Sequence, residues 1–231
     1  MTPARSTRRT PATRAGGSPR IPRQRSAPGL QTPAVEAPTE PEHPWPRPPD
    51  GGWCADDLDT LPDLPPHTEL IDGSLVFPTR QNLFHMLAVS FLEQQLSAAA
   101  PDGFDVLREF TIDIDRWNRP EPDVIVVAGG EVEDLDQTRL PAESVLLAVE
   151  VVSPGGVTRD RETKPVTYAR AGIPHFWRVE NRGGLAMAYV FEREPATGVY
   201  TGTGIFHGRL EVSVPFPVIA DLTEITSHHR S

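Results

Sequence analysis

Two short apolar runs constrain the fold more than any other feature of the sequence. Residues 124–128 read Val-Ile-Val-Val-Ala, and residues 145–149 read Val-Leu-Leu-Ala-Val. Runs of this length are typical of central strands that are buried on both faces, and they are too short to cross a membrane. The chain is therefore expected to contain a sheet whose central strands are fully covered.

Each of these runs carries a carboxylate. Asp123 precedes the first run, and Glu150 continues the second. A carboxylate in a buried strand is unfavourable unless it is paired, hydrogen-bonded or bound to a metal. For a single residue, a salt bridge or a strand end is the ordinary interpretation. Two such residues on consecutive strands favour a metal site, because hard cations bind carboxylate oxygens that rigid elements hold together.

Lys164 is the only lysine among the 22 basic residues of the chain. Pro165 has no N–H group and is tolerated in the first turn of a helix, so Lys164 is predicted at a helix start. From there its flexible side chain could reach back toward the strand ends. The alternative is a charged, solvated helix start without a role in chemistry.

The remaining pattern alternates strand and helix signals and predicts a mixed α/β class with one core. Strands are predicted at 69–77 (with a tight turn at Asp72-Gly73), 104–115, 174–179, 186–192, 198–204 and 209–214, and helices at 81–98 and 161–170.

The N-terminal region has a different composition from the rest. Residues 1–50 contain twelve of the 26 prolines, eight arginines and few bulky apolar side chains. Such a segment cannot bury enough apolar surface to fold alone. We therefore predict a disordered tail over residues 1–55, a single domain over 56–225 and a short C-terminal tail over 226–231.

Charge is divided unevenly between these regions. Residues 1–50 carry a net charge of +4 and residues 51–231 carry −14, which together give the −10 of the chain. An acidic body argues against a sequence-independent grip on nucleic acid, which depends on many Lys and Arg contacts to phosphate. A bound divalent cation or the arginine-rich tail could offset this charge; alternatively, the tail has no role.

The sequence shows no secretion signal and no candidate membrane span. A single cysteine, Cys54, excludes an internal disulfide framework and fits a reducing compartment. We therefore expect a cytoplasmic protein without a membrane partner.

Several motifs in a fixed order resemble the Uma-two family of putative restriction endonucleases, which belongs to the PD-(D/E)XK nuclease superfamily. The motifs are Glu69-Leu-Ile-Asp-Gly, Phe84-His85, Pro122-Asp123, Glu150-Val-Val-Ser-Pro, Asp160-Arg-Glu-Thr-Lys164 and Tyr168-Ala-Arg-Ala-Gly-Ile-Pro-His-Phe-Trp177-Arg-Val. They span about residues 60–222.

The resemblance implies a restriction-endonuclease-like core, with a four-stranded mixed sheet flanked by helices and the site at one edge of the sheet. It makes Asp123 and Glu150 the motif acids. Val152 stands where the usual lysine would be, and Lys164 on the following helix takes its role. Glu69 resembles a further acid near the site.

The function implied is a metal-dependent endonuclease that hydrolyses phosphodiester bonds in DNA. Mg²⁺ (or Mn²⁺) would be held by Asp123 and Glu150, with Glu69 and the Val151 carbonyl as further candidates, and a homodimer is left open. His85 has apolar neighbours and is interpreted as a packed histidine that could support the site.

Two other functions are open from the residues alone. One is a nuclease fold that has lost cleavage and binds DNA or regulates; the acidic body favours it. The other is an unrelated carboxylate-pair enzyme such as a glycosidase. Close approach of Asp123, Glu150 and Lys164 would distinguish a nuclease site from this second class. Arg116 and Arg119 could contact phosphate, or could pair with neighbouring acids.

Overall fold

The computed structural model describes residues 47–132 and 134–227. Within them the strands are β1 (Glu69–Ile71), β2 (Ser74–Val76), β3 (Phe104–Arg108), β4 (Thr111–Asp113), β5 (Val124–Ala128), β6 (Arg139–Pro141), β7 (Val145–Val151), β8 (His175–Arg182), β9 (Leu185–Arg193), β10 (Tyr200–His207), β11 (Arg209–Val212) and β12 (Val218–Asp221). The α-helices are α1 (Ala55–Thr60), α2 (Leu83–Ala99), α3 (Lys164–Ala171) and α4 (Glu224–Ser227). A 3₁₀ turn covers Ala142–Ser144, and a π-helical turn covers Arg159–Thr163.

The two apolar runs form neighbouring strands in the middle of the main sheet. In the described part of the chain this sheet has six strands in the order β10-β9-β8-β7-β5-β3. Only β7 and β8 pair in parallel, so the sheet is mixed. The expected mixed sheet is confirmed, but the expected number of four strands is wrong, because β9 and β10 extend the sheet beyond β8.

Helices cover both faces of the central strands, as expected. Val124 and Val126 pack in a core with α2, whereas Ile125 and Val127 pack in a second core with Tyr168 of α3. Alternate residues of a strand point to opposite faces, so a run buried at every position needs a cover on each side. The fold class predicted from the runs is thereby confirmed.

Strand pairing brings the two motif acids together. β5 and β7 are antiparallel, with Val124 opposite Val149. The start of β5 therefore lies beside the end of β7, and Asp123 is a neighbour of Glu150 across the ladder. Glu150 lies two residues after Ala148 on the same strand, so both side chains point to the same face of the sheet. Ala148 packs on the α3 side. The Glu150 carboxylate consequently points toward α3.

Two local predictions about strands had different outcomes. The hairpin is confirmed: β1 and β2 pair around Asp72 and Gly73, whose positive φ angles of 47° and 73° suit a tight hairpin turn. The single strand predicted over 104–115 is wrong. The chain breaks at Glu109, which has a φ of 50°, and β4 leaves the main sheet to pair with β6.

The described residues start at 47 and so include the last part of the predicted tail. Trp53 is only 9% exposed, and its backbone N–H donates to the Gly73 carbonyl at 2.8 Å. Trp53 is therefore packed on the β1–β2 hairpin. Most of the predicted N-terminal tail, residues 1–46, and residues 228–231 of the C-terminal tail lie outside the described residues. Among the described helices, none is long and apolar enough to span a membrane.

Candidate active site

A cleft of about 280 Å³ opens where β5 begins and β7 ends. Its charged and titratable lining comprises six carboxylates (Glu69, Glu109, Glu121, Asp123, Glu150, Asp160), two permanent cations (Arg159, Lys164) and two histidines (His67, His85). The four residues predicted for the site, Asp123, Glu150, Lys164 and Glu69, all line this one cleft.

Glu150 and Lys164 form a buried ion pair at the floor of the cleft. They are only 2% and 4% exposed, and the Lys164 Nζ lies 2.9 Å from both Glu150 carboxylate oxygens. Nζ is also 2.9 Å from Glu69 Oε1 and 4.0 Å from Asp160 Oδ1. The Tyr168 hydroxyl donates to Glu150 Oε1 at 2.5 Å. Both oxygens of Glu150 are therefore engaged by groups from α3.

The carboxylates hold Lys164 in its charged form. Burial opposes the ammonium, but Glu150, Glu69 and Asp160 outweigh it, so the pKa of Lys164 lies above its ordinary range. Burial raises the pKa of Glu150, neighbouring carboxylates raise it further, and Lys164 opposes the rise. Burial likewise raises the pKa of Asp160 to about 6. Lys164 can therefore act as a fixed positive charge, and proton abstraction by its neutral amine is disfavoured.

Asp123 is held from two sides. Its Oδ2 accepts a hydrogen bond from the Val151 N–H at 2.6 Å, and its Oδ1 lies 3.2 Å from His85 Nε2. The other ring nitrogen of His85 is 3.0 Å from the Val151 carbonyl and must donate to it, because a carbonyl only accepts. Burial lowers the pKa of His85, but the Asp123 carboxylate and the Val151 carbonyl raise it more.

Glu69 connects β1 to the start of β5. Its Oε1 accepts from the Glu121 N–H at 2.8 Å and also lies 2.9 Å from Lys164. Glu121 in turn pairs with His67 at the mouth of the cleft, and burial raises the pKa of Glu121. The β1–β2 hairpin therefore contributes directly to the position of the lysine.

A π-helical turn precedes Lys164. Lys164 is the first residue of α3, as Pro165 predicts, but the chain is already helical before it, over Arg159–Thr163. The Lys164 N–H donates to the Arg159 carbonyl five residues earlier. Pro165 gives a physical reason for the wider turn, because in an α-helix its ring would collide with the carbonyl of Arg161. π-turns within helices are frequent at functional sites.

The sequence pattern alone did not identify three contributors to the site, namely Tyr168, Asp160 and Arg159. Tyr168 and Asp160 stand in the quoted motifs, and helical spacing from Lys164 (i+4 and i−4) is the signal that places them on its side of the helix. His85 is packed, as expected, but it also contacts Asp123. Nothing in the sequence distinguished Arg159 from the many other arginines of the chain.

The two arginines named as alternatives lie away from the cleft. Arg119 pairs with Asp59 and Asp113 at 3.0 and 2.5 Å, and the Arg116 guanidinium lies 4.8 Å from the centre of the Trp117 ring. The pairing alternative is therefore the correct one for Arg119.

The oxygen donors in the cleft are of the chemical type that a hard divalent cation binds. Carboxylate oxygens are the ligands that Mg²⁺ and Mn²⁺ prefer, and Asp123, Glu150 and Glu69 line one cleft. As the side chains stand, no group of three or more His, Cys, Asp or Glu in residues 47–132 and 134–227 is spaced to hold a metal ion. Hydrogen bonds and ion pairs occupy the oxygens instead, with Lys164 between Glu150 and Glu69.

Solved structures include proteins with a similar fold. A putative nuclease belonging to DUF820 from Anabaena variabilis superimposes with a TM-score of 0.54 and 15% identity, over 74% of this chain and 96% of that chain. NucC from P. aeruginosa in its cAAA-bound form gives a TM-score of 0.28 and 13% identity over 54% of this chain and 85% of that chain, too weak to carry an argument. No curated protein matches the chain.

The sequence itself matches a family model. Residues 55–223, well over half of the chain, match the model described as "Uma2: Putative restriction endonuclease". This range includes both motif acids, the lysine and every strand of the main sheet. The chain therefore belongs to the Uma2 family of putative restriction endonucleases.

Proposed function

We propose that this protein is a metal-dependent endonuclease that hydrolyses phosphodiester bonds in DNA. The observation that carries the proposal is the convergence of Glu150, Lys164 and Asp123 in one cleft of a chain from this family. A buried ammonium among carboxylates fits phosphoryl chemistry, where negative charge grows on the oxygens of the reacting phosphate. A carboxylate-pair glycosidase would instead need an acid and a base free to reach a sugar, whereas a lysine holds Glu150.

Each residue has a proposed role. Asp123, Glu150 and Glu69 would hold Mg²⁺ or Mn²⁺, with the Val151 carbonyl as a further donor. The metal, when bound, lowers the pKa of a water ligand and neutralises charge on the phosphate. Lys164 would orient the attacking water and stabilise the developing charge as an ammonium. His85 and Tyr168 would fix the orientations of Asp123 and Glu150.

A catalytically inactive, DNA-binding or regulatory protein is the second candidate. The specific observation in its favour is that Lys164 and Tyr168 already engage both oxygens of Glu150. If these contacts do not rearrange, the cleft cannot take up a cation. Metal binding and cleavage therefore separate the two candidates.

The direct test is cleavage of DNA by the purified full-length chain in Mg²⁺ or Mn²⁺, with EDTA as the negative control. We expect cleavage by the wild type and its loss in Glu150→Ala and Lys164→Ala. Glu162→Gln and Arg170→Ala serve as matched controls, because both residues are exposed and lie outside the cleft. Equal residual cleavage in the wild type and the site variants would reveal a contaminant and refute the proposal.

Loss of activity must be separated from loss of folding. Removing one member of a buried ion pair costs about 3–5 kcal/mol, whereas replacing both members is far better tolerated. The double variant Glu150→Gln/Lys164→Met removes both charges and is expected to melt close to the wild-type temperature. It should nevertheless be inactive. A folded double variant that still cleaves would show that this pair does not perform the chemistry.

A further inference from the structure

Arg159 is a cation of the cleft that lacks a partner. It lines the cleft with the six carboxylates, yet its Nε is buried and makes no hydrogen bond, and no ion pair to it is found among the described residues. Lys164 and His85, by contrast, each contact carboxylates of the cleft. The charge of Arg159 acts on Asp160 only through space.

The other buried or half-buried arginines of the described residues all have partners, including Arg193, which donates to the Ala169 carbonyl. Arg119 and Arg139 share Asp59 and Asp113, and Arg161, Arg178 and Arg182 all pair with Glu180. A buried N–H without an acceptor destabilises a protein by about 1–3 kcal/mol. An arginine left in this state next to the candidate site therefore needs an explanation other than stability.

The π-turn aims Arg159 into the cleft. In an α-helix, residues five apart lie about 140° from each other around the axis, so Arg159 and Lys164 would point to different sides. Here the Lys164 N–H donates to the Arg159 carbonyl, and this wider turn reduces the angle around the axis between residues five apart. The two side chains consequently share one side of the helix, and both line the cleft.

We propose that Arg159 binds a phosphate of the nucleic acid substrate and positions it over the acidic floor of the cleft. The inference rests on the proposed function and names the residue that recognises the substrate backbone. A guanidinium presents planar donors that match two phosphate oxygens, and its charge is permanent. Its positive charge would also reduce the repulsion between the six carboxylates of the cleft and an entering phosphodiester.

The test compares Arg159→Met and Arg159→Lys with Arg170→Ala in the full-length chain. Arg170 is exposed on the same helix and lines a different groove, so its variant matches the loss of charge without touching the cleft. Binding of a fluorescently labelled DNA duplex is measured in EDTA, which prevents metal-dependent cleavage, at several salt concentrations. Cleavage is measured in the otherwise wild-type chain as kcat and KM.

We expect Arg159→Met to weaken duplex binding and raise KM about 10- to 100-fold, the range for one hydrogen bond to a charged group. The salt dependence of log affinity should fall by about 0.9, which corresponds to one phosphate contact. Arg159→Lys should recover part of the affinity, and Arg170→Ala should change neither quantity. Because the Arg159 side chain makes no hydrogen bond or ion pair within the described residues, we expect its variants to melt at or above the wild-type temperature.

Two outcomes would overturn the inference in different ways. A wild-type chain that cuts DNA while Arg159→Met and Arg170→Ala behave alike would refute the role of Arg159 and leave the proposed function intact. A wild-type chain that neither binds nor cuts DNA would refute the proposed function, and the role of Arg159 with it. Should Arg159→Met fail to fold, an unchanged salt dependence in Arg159→Gln, which also removes the charge, would be equally decisive.

Discussion

Individual carboxylates in the cleft face more negative charge than the nearby cations neutralise. Asp160 shows the effect most clearly, because it is 5% exposed and its nearest cation, Lys164, is 4.0 Å away and shared with Glu150 and Glu69. Burial and the neighbouring carboxylates raise its pKa to about 6. Ionised Asp160 is therefore destabilising in the metal-free fold.

Asp160→Asn is expected to stabilise the metal-free protein in a pH-dependent way. An unfolded Asp ionises near pH 4, and the folded one near pH 6, so the wild type loses stability as pH rises between these values. The variant has no such loss. Its advantage should be absent near pH 4, grow to about pH 6 and then stay constant, at on the order of 2–3 kcal/mol.

Urea unfolding in EDTA at pH 4, 6 and 8 measures this difference. Asp56→Asn is a suitable control, because Asp56 is exposed on α1 and outside the cleft. An Asp160→Asn advantage that is equal at all three pH values would contradict the assigned cause.

At the scale of elements, the junction between the π-turn and α3 shapes the cleft. Pro165 has no N–H to complete an α-helical hydrogen bond, and the turn before it is wider than an α-turn. The residues of this turn supply Arg159 and Asp160 to the cleft. The geometry of one turn therefore sets which side chains face the cleft.

Pro165→Ala is expected to separate helix stability from site geometry. Alanine restores the N–H and removes the steric obstacle, so the turn can relax toward an α-helix and rotate Arg159 relative to Lys164. We expect the free energy of unfolding to change by less than about 1 kcal/mol, because the gain in hydrogen bonding offsets the lost restriction of the unfolded chain. Cleavage should fall at least about tenfold, as for loss of one charged contact.

Val166→Ala, an exposed substitution one residue further along α3, controls for changes in helix propensity. Full activity in a folded Pro165→Ala variant would mean that the π-turn is not required for the placement of Arg159.

Elements differed in how well their sequence predicted them. Buried central strands are specified by their own composition, so β5 and β7 were predicted within a residue or two. The break at Glu109 depends on a backbone angle that no local residue preference signals, since a non-glycine residue with φ of 50° needs tertiary support. The six-stranded sheet also exceeds the four strands that the resemblance implied, because strand pairing beyond β8 is set by tertiary contacts.

The site residues also divide into those that the sequence identifies and those that only the structure reveals. Asp123 and Glu150 stood out because a carboxylate in a buried strand is unfavourable without a partner, and the structure supplies partners for both. Lys164 stood out by its uniqueness. Arg159 could not be identified from the sequence. Its proposed role rests on the lack of a partner, which only three-dimensional contacts reveal.

For the whole molecule, the excess of acid in the body is expected to make stability depend on divalent cations. The cleft contains six carboxylates in a chain whose residues 51–231 carry a net charge of −14. A ligand that binds only the folded state stabilises it in proportion to the logarithm of its concentration. Metal binding can therefore be detected without any substrate.

Mg²⁺ is expected to raise the melting temperature of the wild type. At a concentration about 100 times the dissociation constant, the gain is about 2.7 kcal/mol, which corresponds to a rise of about 5–10 °C for a chain of this size. Asp123→Asn and Glu150→Gln should remove the effect, whereas Glu162→Gln should keep it. Equal Mg²⁺ responses in all four proteins would point to nonspecific binding and would favour the inactive alternative.

The position of Lys164 on α3 has a consequence for how the proposed activity arises during folding. Val152, just after the end of β7, stands where the usual lysine would be, and the amine comes from an element that follows later in the chain. A nascent or partly unfolded chain that has paired only β5 with β7 would present acids without the ammonium. Reactivity toward nucleic acid would then appear only when α3 docks, so an incomplete molecule is harmless to the nucleic acids around it.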